Sequence, residues 1–213
     1  MHSGWGVFVA VSGDSGSIEI VHRSRIDVID PSLPGGKQPY HYAAELPSDK
    51  GEQHISSCAK LSQALALTAI TETLQDLKKR QYQIASAAVL MASGRALPSL
   101  PAILASHPLI HTAEGEFFRG VVTKACDELR IPATQIRERE LEDLCKSAFG
   151  RRATQISQKI SQMGAILGAP WTADHKAATT AALLILRGRS EQFTGRGESS
   201  HFSQKRQEVG HPK

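Results

Sequence analysis

The stretch Ala105–Phe118, ASHPLIHTAEGEFF, gathers His107, His111, Glu114 and Glu116 into one short run. Imidazoles and carboxylates are the side chains that bind metal ions and move protons near neutral pH. His107 and His111 stand four residues apart, the spacing of a helical metal pair, but Pro108 interrupts the interval. Glu114 and Glu116 stand two apart, so on a helix they point to different faces and do not chelate one ion together. A second reading sits beside the chemical one. Thr112 has the character of an N-cap residue, and the carboxylates that follow would fall in a helix's first turn. The helix dipole favours such carboxylates by about 0.3–1 kcal/mol each. The run is thus either a site or a capped helix start. Of its two acids Glu116, beside Phe117, is the stronger candidate.

Other candidates are scattered along the chain. QPYHY, containing Tyr40, His41 and Tyr42, either stacks on a base or sugar or pins a loop to the body. SGRALP, Ser93 to Pro98, carries Arg95, which either binds phosphate or carboxylate or is a solvated turn residue. Asp14 lies in the turn sequence GDSG, and Asp174 heads the run TADHKAATTAALLIL. Asp14, Glu116 and Asp174 together with a histidine would bind Mg²⁺ or Mn²⁺ through oxygen, or another metal with imidazole. The sequence has no phosphate-binding GxxxxGK loop, no GxGxxG dinucleotide signature and no GxSxG elbow. Cys58, Cys126 and Cys145 form no CxxC pair, which disfavours a zinc knuckle, and each lies in a helical pattern where free cysteine acts as a small apolar residue.

The elements that must position these groups follow from periodicity. GVFVAVS, then a turn, then alternating Ile18, Ile20, Ile26 and Val28 predict two or three antiparallel strands. Pro31 to Lys50 is rich in Pro and Gly and is expected to be a long loop. A helix is predicted over 55–80, from Cys58, Leu61, Leu65, Ile70, Leu74 and Leu77. Ile84 to Ala92 reads as a buried parallel strand. A short helix through Ile103 and Leu104, a helix over 113–130, a strand over 133–137 and helices over 140–149, 154–167 and about 173–186 complete the order.

The 213 residues suit one domain, and 40% hydrophobic with 22% charged residues marks a globular chain. A net charge of +4 is too small for a polybasic nucleic-acid binder. One domain over 1–187 and a disordered tail over 188–213 are expected, because the tail is rich in Gly, Ser and charge. No apolar run is long enough to span a bilayer. The odd, dispersed cysteines and the lack of a signal peptide make the cytoplasm the expected compartment.

The order of strands and helices resembles the ribonuclease-H-like superfamily, nearest to its bacterial Holliday-junction resolvase (RuvC-type) branch. The resemblance rests on GVFVAVSGDSGSIEIV at the start and TADHKAATTAALLIL at the end, and covers roughly Trp5 to Leu186. It implies an α/β fold with a mixed sheet, an antiparallel hairpin or meander followed by alternating helices and strands, flanked by helices. It also implies two-metal phosphodiester hydrolysis by clustered carboxylates. The strand-one acid position falls on Ser12, with Asp14 two residues later. The end of the central strand, Met91 to Ser93, carries no acid. Asp174 matches the first acid of the last helix, and the second would be Ala177. The acid set is degenerate, and Glu116 is the obvious replacement. The expected function is a divalent-metal-dependent nuclease acting on nucleic acid, with Glu116, Asp174 and Asp14 catalytic and Arg95, His107, His111 and His41 binding. The alternatives are a non-catalytic binding or scaffold module of the same fold, and a small-molecule enzyme using His107, His111 and Glu116.

Overall fold

The computed structural model describes residues 1–13, 16–92, 94 and 96–197. It is a mixed α/β structure. β1 (Trp5–Gly13) and β2 (Ile18–Asp27) form an antiparallel hairpin, with a register shift between Ala10 and Val11. The run that was expected to hold one or two strands after the turn is a single strand. β3 (Ala87–Met91) pairs in parallel with β4 (Ala133–Arg137). Parallel neighbours need a long crossover, and α3 (Leu100–Leu104) and α4 (His107–Glu128) supply it.

Among the described residues the two pairs of strands remain separate ladders, and the single mixed sheet expected from sequence does not form. The facing stretches of β1 (Val7 to Val11) and β3 both line a cavity of about 190 Å³. Side chains and α7 (Ala173–Gly197), which packs on both β1 and β3, join the ladders instead.

Two clusters carry most of the core. Ile26 and Val28 pack with Ala66 and Ile70 of α2 (Ser48–Lys79) and with Phe118, Val121 and Ala125 of α4. Ile18 and Leu183 pack with Cys145 and Phe149 of α5 (Leu141–Phe149) and with Ile156 and Ile160 of α6 (Ala153–Leu167). All three cysteines are buried and free, as the helical pattern implied.

The helix boundaries differ from expectation where it matters most. Pro39–Ala44, inside the expected loop, is a short helix, α1, and α2 begins at Ser48. α4 begins at His107, with Ser106 as its N-cap residue and proline in its first turn. Proline is tolerated there because the first-turn N–H is unpaired anyway. Thr112 is not the N-cap: its hydroxyl donates to the Pro108 carbonyl at 3.0 Å, a bond made inside a helix. At the other end α7 continues past Gly188 to Gly197. The remainder of the expected tail, 198–213, lies outside the described residues. No described helix is long and apolar enough to cross a membrane.

Candidate metal centre

Starting α4 at His107 puts His107 and His111 one turn apart on the same face. Their ring centroids lie 4.4 Å apart. The third histidine comes from α1. His41 lies 4.8 Å from His111 and 5.6 Å from His107, ring to ring, and all three rings meet edge to face. One nitrogen from each of the three lies within 4.8 Å of the others. Among the described residues this is the one group of three or more His, Cys, Asp or Glu side chains close enough to share an ion. His41 is half-buried, whereas His107 and His111 are exposed.

α1 is held in place from two sides. Gly51 of α2 lies against its end, where a Cβ would stand 2.8 Å from the Ala43 carbonyl oxygen, so the close approach requires glycine. On the other side stands Glu114 of α4. Its Oε1 accepts the backbone N–H groups of Tyr40 at 2.8 Å and His41 at 3.1 Å, and lies 3.3 Å from His41 Nδ1. Gln38, at the N-cap position of α1, makes no side-chain cap bond. Glu114 thus caps α1 from a neighbouring helix. Its side chain is 11% exposed, and Oε2 is buried without a hydrogen-bond partner. Burial pushes the Glu114 carboxyl above its ordinary value, against the hydrogen bonds from His41 and Tyr40. Burial also raises the Cys58 thiol, and the Glu114 charge adds to that shift. Cys58 Sγ lies 3.3 Å from His54 Nε2, whose ring packs 4.6 Å from Tyr42.

The chain matches no protein-family model, no curated protein and no solved structure.

The remaining candidates fall elsewhere. Glu116 points away from Glu114, as their two-residue spacing requires. Its Oε1 accepts the Gly94 N–H at 2.9 Å, just beyond β3. Asp174 lies 3.0 Å from His2 Nε2 at the head of α7. Neither acid belongs to a group of three potential ligands among the described residues. Asp14 and Arg95 lie outside the described residues. The spacing of His107 and His111 signalled half of the centre. His41 is expected as a binding residue of the aromatic loop QPYHY, with nothing in the sequence to place it beside His107 and His111, and Glu114 is the acid ranked below Glu116.

Proposed function

We propose that the protein binds a transition-metal ion of the zinc class through His41, His107 and His111, and uses it to activate water for hydrolysis. The observation that carries this reading is the meeting of three imidazole nitrogens, from α1 and from successive turns of α4. Neutral imidazoles suit Zn²⁺ and its neighbours, whereas Mg²⁺ and Mn²⁺ favour oxygen donors. Tetrahedral zinc with imidazole ligands needs nitrogens about 3.4 Å apart. The cluster, at up to 4.8 Å, must contract modestly. The exposed side chains of His107 and His111 have rotamer freedom for that. Three protein ligands at a solvent-facing site leave a coordination position for water, the pattern of catalytic rather than structural zinc. A zinc ion held by His41, His107 and His111 would supply water activation at neutral pH, the chemistry of zinc hydrolases. The resemblance to ribonuclease-H-like proteins supplies phosphodiesters as the first substrate class to test.

The test is a Zn²⁺ titration by calorimetry, with Co²⁺ as a visible-absorbance probe, on the full chain. One ion per chain is expected, with a Co²⁺ spectrum of nitrogen coordination, and His107→Ala or His111→Ala loses both. Zinc-dependent hydrolysis of an activated phosphodiester by the wild type should be lost in the same variants. Equal zinc binding by the wild type and the His107→Ala, His111→Ala double variant sinks the proposal.

A second reading keeps the nuclease with Mg²⁺ or Mn²⁺ at carboxylates. One observation favours it: Glu116 reaches the end of β3, where the resemblance calls for an acid. With Asp174 and Asp14 it would make up the acid set. This reading expects Mn²⁺-dependent cleavage of branched or single-stranded nucleic acid that Glu116→Gln abolishes and His107→Ala spares. The reverse pattern assigns cleavage to the histidines. Nucleic-acid binding without cleavage under any of these ions leaves a non-catalytic module.

A further inference from the structure

We propose that Glu114 is the positioning residue of the histidine centre, and that through it metal binding and the docking of α1 form one coupled equilibrium. The inference rests on the reading of His41, His107 and His111 as metal ligands, and it adds a residue and a linkage to that reading.

Three observations converge on this carboxylate. His41 Nδ1 lies 3.3 Å from Glu114 Oε1. A proton held on Nδ1 by the carboxylate leaves Nε2 with its lone pair free for an ion. That outer carboxylate fixes the ring's tautomer and orientation and makes it a stronger donor. The same oxygen accepts the Tyr40 and His41 N–H groups. A six-residue helix does not hold itself together in water, so α1, and His41 with it, is placed by outside contacts, the Glu114 cap and the close approach of Gly51 among them. The second oxygen, Oε2, is buried without a hydrogen-bond partner. A buried carboxylate with one unpaired oxygen is costly unless a cation balances it. A dication held by His41 would supply that charge.

The consequence is reciprocal. If α1 must be docked for His41 to reach the ion, the ion favours docked α1 by the same factor. Binding should therefore order the Tyr40 and His41 backbone, and weakening the carboxylate should weaken the ion.

The experiment uses the full chain with Zn²⁺ alone as the probe. Zinc affinity is measured by competition with a chelating dye for wild type, Glu114→Gln and Glu114→Asp. Amide hydrogen exchange at Tyr40 and His41 is followed by NMR with and without zinc. Glutamine keeps an oxygen able to cap α1, removes the charge and puts an amide NH2 in place of the second oxygen. We expect Glu114→Gln to bind zinc about 10–100-fold more weakly, with little change in the metal-free melting temperature. Aspartate is too short to serve α1 and His41 together, and we expect it to lose both affinity and amide protection. In the wild type, zinc should slow exchange at the two amides. If Glu114→Gln binds zinc like the wild type, Glu114 has no positioning role although the histidine centre stands. If zinc binds but leaves the two amides unprotected, the coupling is overturned in the unmodified chain. If the wild type binds no zinc, the histidine reading fails first, and this inference with it.

Discussion

His175 illustrates how a buried titratable group ties stability to pH. It is 5% exposed, and its Nδ1 lies 3.2 Å from the Thr172 N–H and 2.8 Å from the Thr172 hydroxyl. A nitrogen accepting those bonds carries no proton. Burial lowers its pKa, the Arg23 charge lowers it further, and Asp174 partly opposes both. Burial also lowers His22 and His54. An unfolded histidine titrates near pH 6.5. Above that value these residues are neutral in both states and their contribution to stability is complete. As pH falls through about 6.5, the unfolded chain takes up protons that the folded chain refuses, so stability is lost until the lowered folded values are reached. Glu114 acts in the opposite sense, since burial raises its carboxyl and the folded state takes up that proton first. The melting temperature should fall between about pH 7.5 and about pH 5.5, and His175→Gln should flatten that fall. A melting temperature that does not change over this range would contradict the buried, neutral state of these rings.

At the scale of elements, the end of α6 shows how the hairpin fixes a helix. The last carbonyls of a helix have no partners within it. The Arg23 guanidinium, from β2, donates to the carbonyls of Leu167, of Gly168 at 2.9 Å and of Pro170 at 2.6 Å. Trp171 Nε1 adds a bond to the Ile160 carbonyl at 2.8 Å. Replacing Arg23 by methionine keeps much of the aliphatic stem and removes all three donors. We expect a loss of about 1.5–3 kcal/mol, the range for a hydrogen bond to a charged group, read as a lower urea midpoint at unchanged slope. No change would mean that water serves those carbonyls equally well. Most elements could be read from the sequence because their apolar residues keep strict period. β4 falls on the predicted strand, and α6 starts and ends within a residue of expectation. α1 could not be read, because no apolar repeat fits in six residues and its cap comes from another helix. The start of α4 lies six residues before the expected one, because Thr112 resembles a cap and Pro108 resembles a break. Proline in the first turn and a threonine bonded back to it produce the same letters. A helix starting after Thr112 would leave His107 and His111 outside it, so their place on one helix face follows only from the fold, which also brings His41 to them.

At the scale of the whole molecule, the two ladders are joined by the core that Ile26 and Val28 share with α2 and α4 and by α7, and the α7 joint is packed unevenly. Asp174, Ala178, Ala182 and Ile185 share one stripe of α7 that faces the cavity between β1 and β3. Ala177 and Ala181 lie on the neighbouring stripe and pack with Ile136, Leu141 and Leu90. Both stripes are alanine-rich, so a sequence pattern cannot tell the loose one from the tight one. The structure can. Residues lining a void lack partner atoms on one side and forgo dispersion contacts. A leucine at Ala178 has space to grow into and keeps good helix propensity, so Ala178→Leu should stabilise by up to about 1 kcal/mol. Ala181 is 1% exposed with no such space. Ala181→Leu should destabilise by about 1–3 kcal/mol through overpacking. Thermal melts of the two variants beside the wild type decide the matter. Opposite shifts support an under-filled joint between the ladders. Destabilisation of both to the same degree would mean that the β1 and β3 edges close on each other in solution and leave no cavity to fill.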